Sequence, residues 1–258
     1  MDDRFGNYLR GWRVRRGFSQ LALSAEAGVS QRHLSYLETG RSNPSREMVI
    51  HLGATLDVPL RERNLMLAAA GHTPEFGETP LDDLGQIRHA LQFMVDAHAP
   101  YMAVVVDRLW NVVLSNEPAT RFALTMLDPT APWLGDRINL IRALLHPDGL
   151  RRHLSNDRRV AAEIIGRLER DTSLYPHDRE MQAFLEEMRA LAGPLDEMPV
   201  APELLLPLAY EIDGRRVDLF TTIATIGAPH DVTLSELRIE TFWPADETSD
   251  QRWRSLFE

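Results

Sequence analysis

In the first part of the chain apolar positions recur at three- and four-residue intervals, and glycine or proline stands wherever the recurrence breaks. Residues 5–16 place Phe5, Leu9 and Trp12 on one side and arginines elsewhere, until Gly17 ends the segment. Residues 19–27 carry Leu21, Ala22, Ala25 and Ala27; residues 30–39 carry Leu34 and Leu37. Ser19 and Ser30 stand where helix N-caps are wanted. Gly28 supplies the positive φ at which the first helix of the pair must stop. Past Gly40 and the turn Arg41-Ser42-Asn43-Pro44, Ser45 caps a fourth helix over 46–56, with Met48, Val49, Leu52 and Leu56 inward. Asp57-Val58-Pro59 then breaks the chain before a fifth helix over 60–70. The expectation is an all-α domain of five short helices over 1–71. Its second and third helices meet across a three-residue turn, the helix-turn-helix unit, whose second helix fits the DNA major groove.

The periodicity then changes. Residues 72–82 (HTPEFGETPLD) read as a linker, and 83–97 as a helix with Leu84, Ile87, Leu91, Met94 and Val95 as its stripe. The continuous apolar run 101–106 has the signature of a buried strand, joined through Asp107-Arg108 to a second strand over 110–115. From 139 to 191 the pattern is mainly helical, punctuated by Pro147, Pro176 and Pro194. Three strands close the chain over 204–212, 216–226 and 234–243, and Asp213-Gly214 is a strong hairpin signal. Two strands, helices, then three strands predict an α+β, PAS-like domain over 83–258, a five-stranded antiparallel sheet with helices on one side.

Taken over the whole chain, the net charge of −10 over 258 residues opposes DNA binding. Residues 1–72 alone hold ten arginines against seven acids, a net +3, and the remainder 18 arginines against 31 acids, a net −13. That asymmetry permits a DNA-binding head on an acidic body. Every basic residue is arginine, a global bias that a GC-rich genome explains without local function. There is no cysteine, hence no disulfide, thiolate nucleophile or Cys-ligated metal. No apolar run reaches membrane-spanning length and the N-terminus lacks a signal-peptide core, so a cytoplasmic protein with no membrane partner is expected. Nine histidines show no metal spacing, and neither G-x-S-x-G, a Walker loop nor G-x-G-x-x-G occurs, so no enzyme, cofactor or metal is expected.

The segments LRGWRVRRGFSQ, AGVSQRHLSYLETGRSNPSREM and LDVPLRERNLMLAAAG resemble the DNA-binding domain of the lambda-repressor/Cro-type (XRE) regulators. The resemblance implies that Gln20 grips the DNA backbone through its amide, and that Arg13 and Glu38 form an ion pair tying the first helix to the third. On the third helix, Ser30 stands at the start, Gln31, Arg32, Ser35 and Tyr36 on the outward face, and His33 at its edge. Gln pairs bidentately with adenine and Arg with guanine. Arg41 and Asn43 suit phosphate contacts or simply the turn.

The segments YMAVVVDRLWNVVLSNEPA and RVDLFTTIATIGAPHDVTLSELRIETFWPADE resemble the ligand-binding domain of MmyB-like (MltR-type) transcription regulators. This implies a PAS-like cavity for a small apolar effector, fatty acids being the known class. Trp110, Phe122, Trp133, Leu144 and Ile164 are candidate walls, although tryptophan between strand and helix also serves ordinary packing. Asn116 either binds ligand or caps a helix, and Arg167 pairs either with a ligand carboxylate or with an acid of the body. The reading is a ligand-responsive transcription regulator, a homodimer on double-stranded operator DNA. The alternative is a DNA-binding regulator whose body only dimerises or docks a protein, without ligand.

Overall fold

The computed structural model describes residues 5–195 and 207–257. These divide into two compact units, one comprising the residues up to Thr79 with Ala228–Ser235, the other Pro80–Gly227 and Glu236 onward.

The first unit contains α1 (Phe5–Arg15), α2 (Gln20–Glu26), α3 (Gln31–Glu38), α4 (Arg46–Thr55) and α5 (Leu60–Ala69). Ser19, Ser30 and Ser45 cap α2, α3 and α4, each Oγ accepting the N–H three residues on at 3.0–3.2 Å. Leu9, Trp12, Leu23, Leu34, Leu37, Leu52 and Leu56 are buried in one core, each contributing roughly 1.5–3 kcal/mol by burial. The α2 phase differs from the expected stripe. Leu23 and Ala27 point inward, one helical turn apart, whereas Leu21, Ala22 and Ala25 are exposed. At Gly6 the backbones of α1 and α3 nearly touch: a Cβ there would lie 2.4 Å from the Glu38 carbonyl oxygen.

Residues 72–79, expected within a linker, group with this helical unit. Asn64 of α5 holds them, its Oδ1 accepting from Glu75 and Phe76 N–H at 3.0 and 3.1 Å and its Nδ2 donating to the Phe76 carbonyl at 2.8 Å. Thr79 donates to the Asp231 carboxylate through both its N–H and its hydroxyl, at 3.1 and 2.9 Å.

The second unit begins with α6 (Gly85–Asp96), β1 (Ala103–Val106), β2 (Val112–Ser115) and α7 (Glu117–Met126). Then come α8 (Leu140–Leu145), α9 (Asp157–Leu174), α10 (Arg179–Ala192), β3 (Leu208–Ile212) and β4 (Arg215–Thr225). After a short α11 (Val232–Glu236), which belongs to the first unit up to Ser235, come β5 (Arg238–Pro244) and α12 (Glu247–Phe257). The five strands form one antiparallel sheet in the order β2-β1-β5-β4-β3, a PAS-like arrangement. Met102, Val104, Tyr210, Val217, Leu219 and Phe242 join the core beneath α7–α10. The alternate residues Ala103 and Val105 are also buried, and Leu91 and Val95 of α6 lie inward where that helix packs on β1 and β2. Helices therefore cover both faces rather than one, which is why β1 reads as an unbroken apolar run.

Other expectations shift locally. Trp110 is not a strand residue: its φ is +66°, in a turn where the Asp107 carboxylate accepts the N–H groups of Leu109 and Asn111 at 2.9 and 3.0 Å. The strand expected from 234 starts only at Arg238, because the preceding residues close a helical turn. The strand expected from 204 is observed from Leu208, and 204–206 lie outside the described residues. The closing helix α12 has no counterpart in the sequence expectations. Asp246 accepts the Ser249 N–H at 2.7 Å, and Trp253 and Phe257 are buried. Among the described residues no helix is long and apolar enough to cross a membrane.

Candidate DNA-reading face and ligand cavity

The helix-turn-helix is held by a small polar knot. Arg13 of α1 donates to both Glu38 oxygens, Nε to Oε1 at 2.6 Å and Nη2 to Oε2 at 3.0 Å, and through Nη1 to the Phe18 carbonyl at 2.8 Å. The Glu38 side chain retains only 3% of its exposure, and its bonds hold the Arg13 guanidinium above its ordinary pKa. Gln20 completes the knot, Nε2 donating to Glu38 Oε2 at 2.8 Å. The amide expected to face the DNA backbone is thus turned inward, because a buried carboxylate needs donors on all sides. One of its two N–H bonds is left for a phosphate.

On α3, Gln31 and Arg32 are exposed, while His33, Ser35 and Tyr36 are half-buried. Arg32 lies along the helix onto Tyr36, Nε donating to the phenol oxygen at 2.9 Å with the guanidinium 5.4 Å from the ring centre. The Ser30 hydroxyl is taken by its capping bond to His33 N–H, so Ser30 can offer a base or phosphate little beyond its cap. Arg41 and Asn43 are exposed beyond the C-terminus of α3, where Arg41 N–H donates to the Tyr36 carbonyl at 2.9 Å. Gln31, Arg32, Arg41 and Asn43 are thus all exposed.

The second unit contains an apolar cavity of about 260 Å³. The sheet contributes Val104, Tyr210 and Phe242, the residue before β1 contributes Met102, and the helical side contributes Phe122, Leu127 and Leu140. Its polar groups are few: Ser115 and Thr120, bonded to each other at 3.1 Å, and Tyr210, whose phenol burial keeps protonated. A second cavity of about 60 Å³ is lined by Trp110, Leu144, Ile164 and Arg167 together with Glu163, Thr221 and Glu240.

The candidate ligand residues thus fall in different places. Phe122 lines the large cavity; Trp110, Leu144, Ile164 and Arg167 line the small one. Trp133 borders neither and stacks on His146, ring centres 4.2 Å apart. Asn116 is fully committed to structure. Its Oδ1 accepts from Ala103 and Ala119 N–H at 3.1 Å each, and its Nδ2 donates to the Val95 and Tyr101 carbonyls at 3.0 and 2.8 Å. The capping alternative holds, and no hydrogen-bonding capacity is left for a ligand. Arg167 lies 5.5 Å from the Trp110 ring centre, and its charge favours the ionised forms of Asp171 and Glu240. Sequence reasoning missed Tyr210, Phe242, Glu240 and Thr221, although the alternation Ile239-Glu240-Thr241-Phe242 already puts Glu240 in phase with Phe242. Among the described residues no group of acids and histidines is placed to hold a metal.

Comparison with known proteins gives two family matches and one relative. Residues 4–66 match a helix-turn-helix domain, and residues 87–256 match the MmyB-like transcription regulator ligand binding domain. The HTH-type transcriptional regulator SlrR of Bacillus subtilis (strain 168) is 41% identical over 58 residues, 22% of this chain. That alignment spans 38% of SlrR.

Proposed function

The chain belongs to the MmyB-like transcription regulators, pairing a helix-turn-helix DNA-binding domain with a ligand-binding domain, and on that premise we propose that an aliphatic effector controls its binding to a two-fold operator. The observation that carries the effector is the cavity of about 260 Å³ between sheet and helices, with apolar walls. It suits an aliphatic chain, and fatty acids are the class the family resemblance implies. We assign residues 1–71 to the DNA-binding head, 72–82 to the connection, and 83–258 to the sensing and dimerising body.

In the head, Gln31 and Arg32 are the base readers, because they are the exposed side chains at the N-terminal end of α3. Arg41, Asn43 and the free N–H of Gln20 contact phosphate, while Ser35, Tyr36 and His33 border the readers. A single short helix reads few base pairs, so the operator requires two heads and a homodimer. Phe93 and Met94 of α6, 70% and 51% exposed, give the body apolar surface for a second copy.

A gel shift on the protein's own promoter tests the head. Each of Gln31→Ala and Arg32→Ala should weaken specific binding by about 1–3 kcal/mol, with melting temperature unchanged. Full-strength binding by the double variant would remove both residues from the reading face. Native mass spectrometry of the purified chain tests the body: a lipid-sized adduct supports the sensor. A bare dimer that no aliphatic compound stabilises favours a body that only dimerises.

A further inference from the structure

The small cavity beside the apolar one holds two polar groups that the described protein leaves without hydrogen-bond partners. Glu240 is 5% exposed, yet its Oε2 meets no donor; Trp110 is 1% exposed, yet its indole Nε1 meets no acceptor. Both line this cavity, with Thr221 on the strand beside Glu240 and Arg167 opposite on α9. Buried polar groups are rarely left unsatisfied, because each costs about the full desolvation of the group. Two converging on one cavity point to a ligand group that completes them.

The two cavities are neighbours. Leu140 at the start of α8 lines both. On β5, Phe242 lines the large one and Glu240 the small one; on β3, Tyr210 and Leu208 divide the same way. Residues two apart on a strand face the same side, roughly 7 Å from one another. The small cavity, about 60 Å³, admits only a few heavy atoms, since one water needs roughly 10–15 Å³. It accommodates a head group, not a whole effector.

We infer that the small cavity receives the head of the aliphatic effector, and that in this chain the head is not the carboxylate of a fatty acid, the class the family resemblance implies, but an uncharged group that both donates and accepts hydrogen bonds, a hydroxyl. The inference rests on the large cavity being the effector site. Charge decides the class of head. The lining contains two carboxyl side chains, Glu163 and Glu240, against one guanidinium, Arg167. The nearby Arg238 is engaged by Asp171 at 2.9 Å. A carboxylate head would enter beside two acids, and an ammonium head would meet Arg167. A hydroxyl donates to Glu240 Oε2 and accepts from Trp110 Nε1. Burial also pushes the Glu240 carboxyl above the ordinary carboxylate range, against the opposing pull of Arg167 and Arg238, so the site does not favour further negative charge.

Isothermal titration of the full chain with 1-decanol, decanoate and decylamine at about pH 8 tests this. Decanol is expected to bind about tenfold more tightly than decanoate or decylamine, and Glu240→Gln should erase the margin over decanoate. Tighter binding of decanoate or decylamine than decanol, or an unchanged margin in Glu240→Gln, overturns the hydroxyl assignment while leaving the large cavity as the effector site. Failure of the wild-type chain to bind any of the three overturns the effector reading itself, and this inference with it. A second readout needs no change at Glu240. In wild-type protein labelled with 15N-tryptophan, the indole resonance assigned through Trp110→Phe should shift on saturation with decanol. A resonance unmoved at saturation overturns the placement of the head.

Discussion

At the residue scale, the DNA-binding head depends on a carboxylate that the protein itself satisfies. Glu38 is nearly buried and takes hydrogen bonds from Arg13 and Gln20. Removing Arg13 leaves that carboxylate with one neutral donor, so Arg13→Ala should destabilise the head by about 2 kcal/mol and lower operator affinity with it. Thermal melts alongside binding decide the point: lost affinity at an unchanged melting temperature would make Arg13 a direct DNA contact. The pairing of Arg13 with Glu38 was legible through family resemblance, but the inward turn of Gln20 was not, because periodicity does not say which donors a buried acid recruits. Glu240 gives a second prediction. Burial raises its pKa, outweighing Arg167 on α9 and Arg238 on β5, while Glu163 and Asp171 on α9 and Tyr210 on β3 are the other ionisable groups nearby. The folded state then holds the Glu240 proton to higher pH than the unfolded chain does. Stability is fully present below the ordinary glutamate pKa and declines as pH rises through the raised one. Glu240→Gln removes this decline, so its melting temperature relative to wild type should rise as pH increases above the ordinary glutamate pKa of about 4.3. An offset independent of pH would contradict the assignment.

At the element scale, boundaries set by caps and glycines were readable, and phases set by tertiary packing were less so. Serine caps announced α2, α3 and α4, and all three bonds form. The inward face of α2 is not legible from periodicity because three small or apolar residues compete for it, and only packing into the core of the head selects Leu23. Residues 234–236 fall within the strand expected over 234–243, yet they close a helical turn before β5. Trp110 was placed in β2 although the Asp107 turn holds it at positive φ, a conformation that its aromatic character does not suggest. Two elements of the head approach closely at Gly6, whose missing Cβ lets α1 lie on the C-terminal turn of α3. Gly6→Ala should force the helices apart and destabilise by about 1–3 kcal/mol, while Gly11→Ala, with only the flexible end of Arg15 near its Cβ, should be neutral or stabilising. Circular dichroism melts of the two variants compare them directly, and equal melting temperatures would mean that the α1–α3 contact relaxes without cost.

At the whole-molecule scale, the division of labour follows from charge and size. A head of net +3 with one short reading helix has little electrostatic reach, and the net −13 of the body opposes the charge of the phosphates. On the proposed homodimer, affinity comes from pairing. Two heads linked through their bodies act at an effective concentration that typically raises binding by roughly 10²–10⁴ without any new contact. A fragment ending at residue 79 retains the core of the five helices and the segment held by Asn64, so it should fold and still discriminate operator from random DNA. Its operator affinity should fall at least about 100-fold below that of the full chain. Fluorescence anisotropy on a two-fold operator, run beside sedimentation of the full chain, measures both halves of the argument. A fragment that binds as tightly as the full chain would show that the body contributes nothing to DNA binding, and the effector would then have to act on the individual head rather than on the pairing of two.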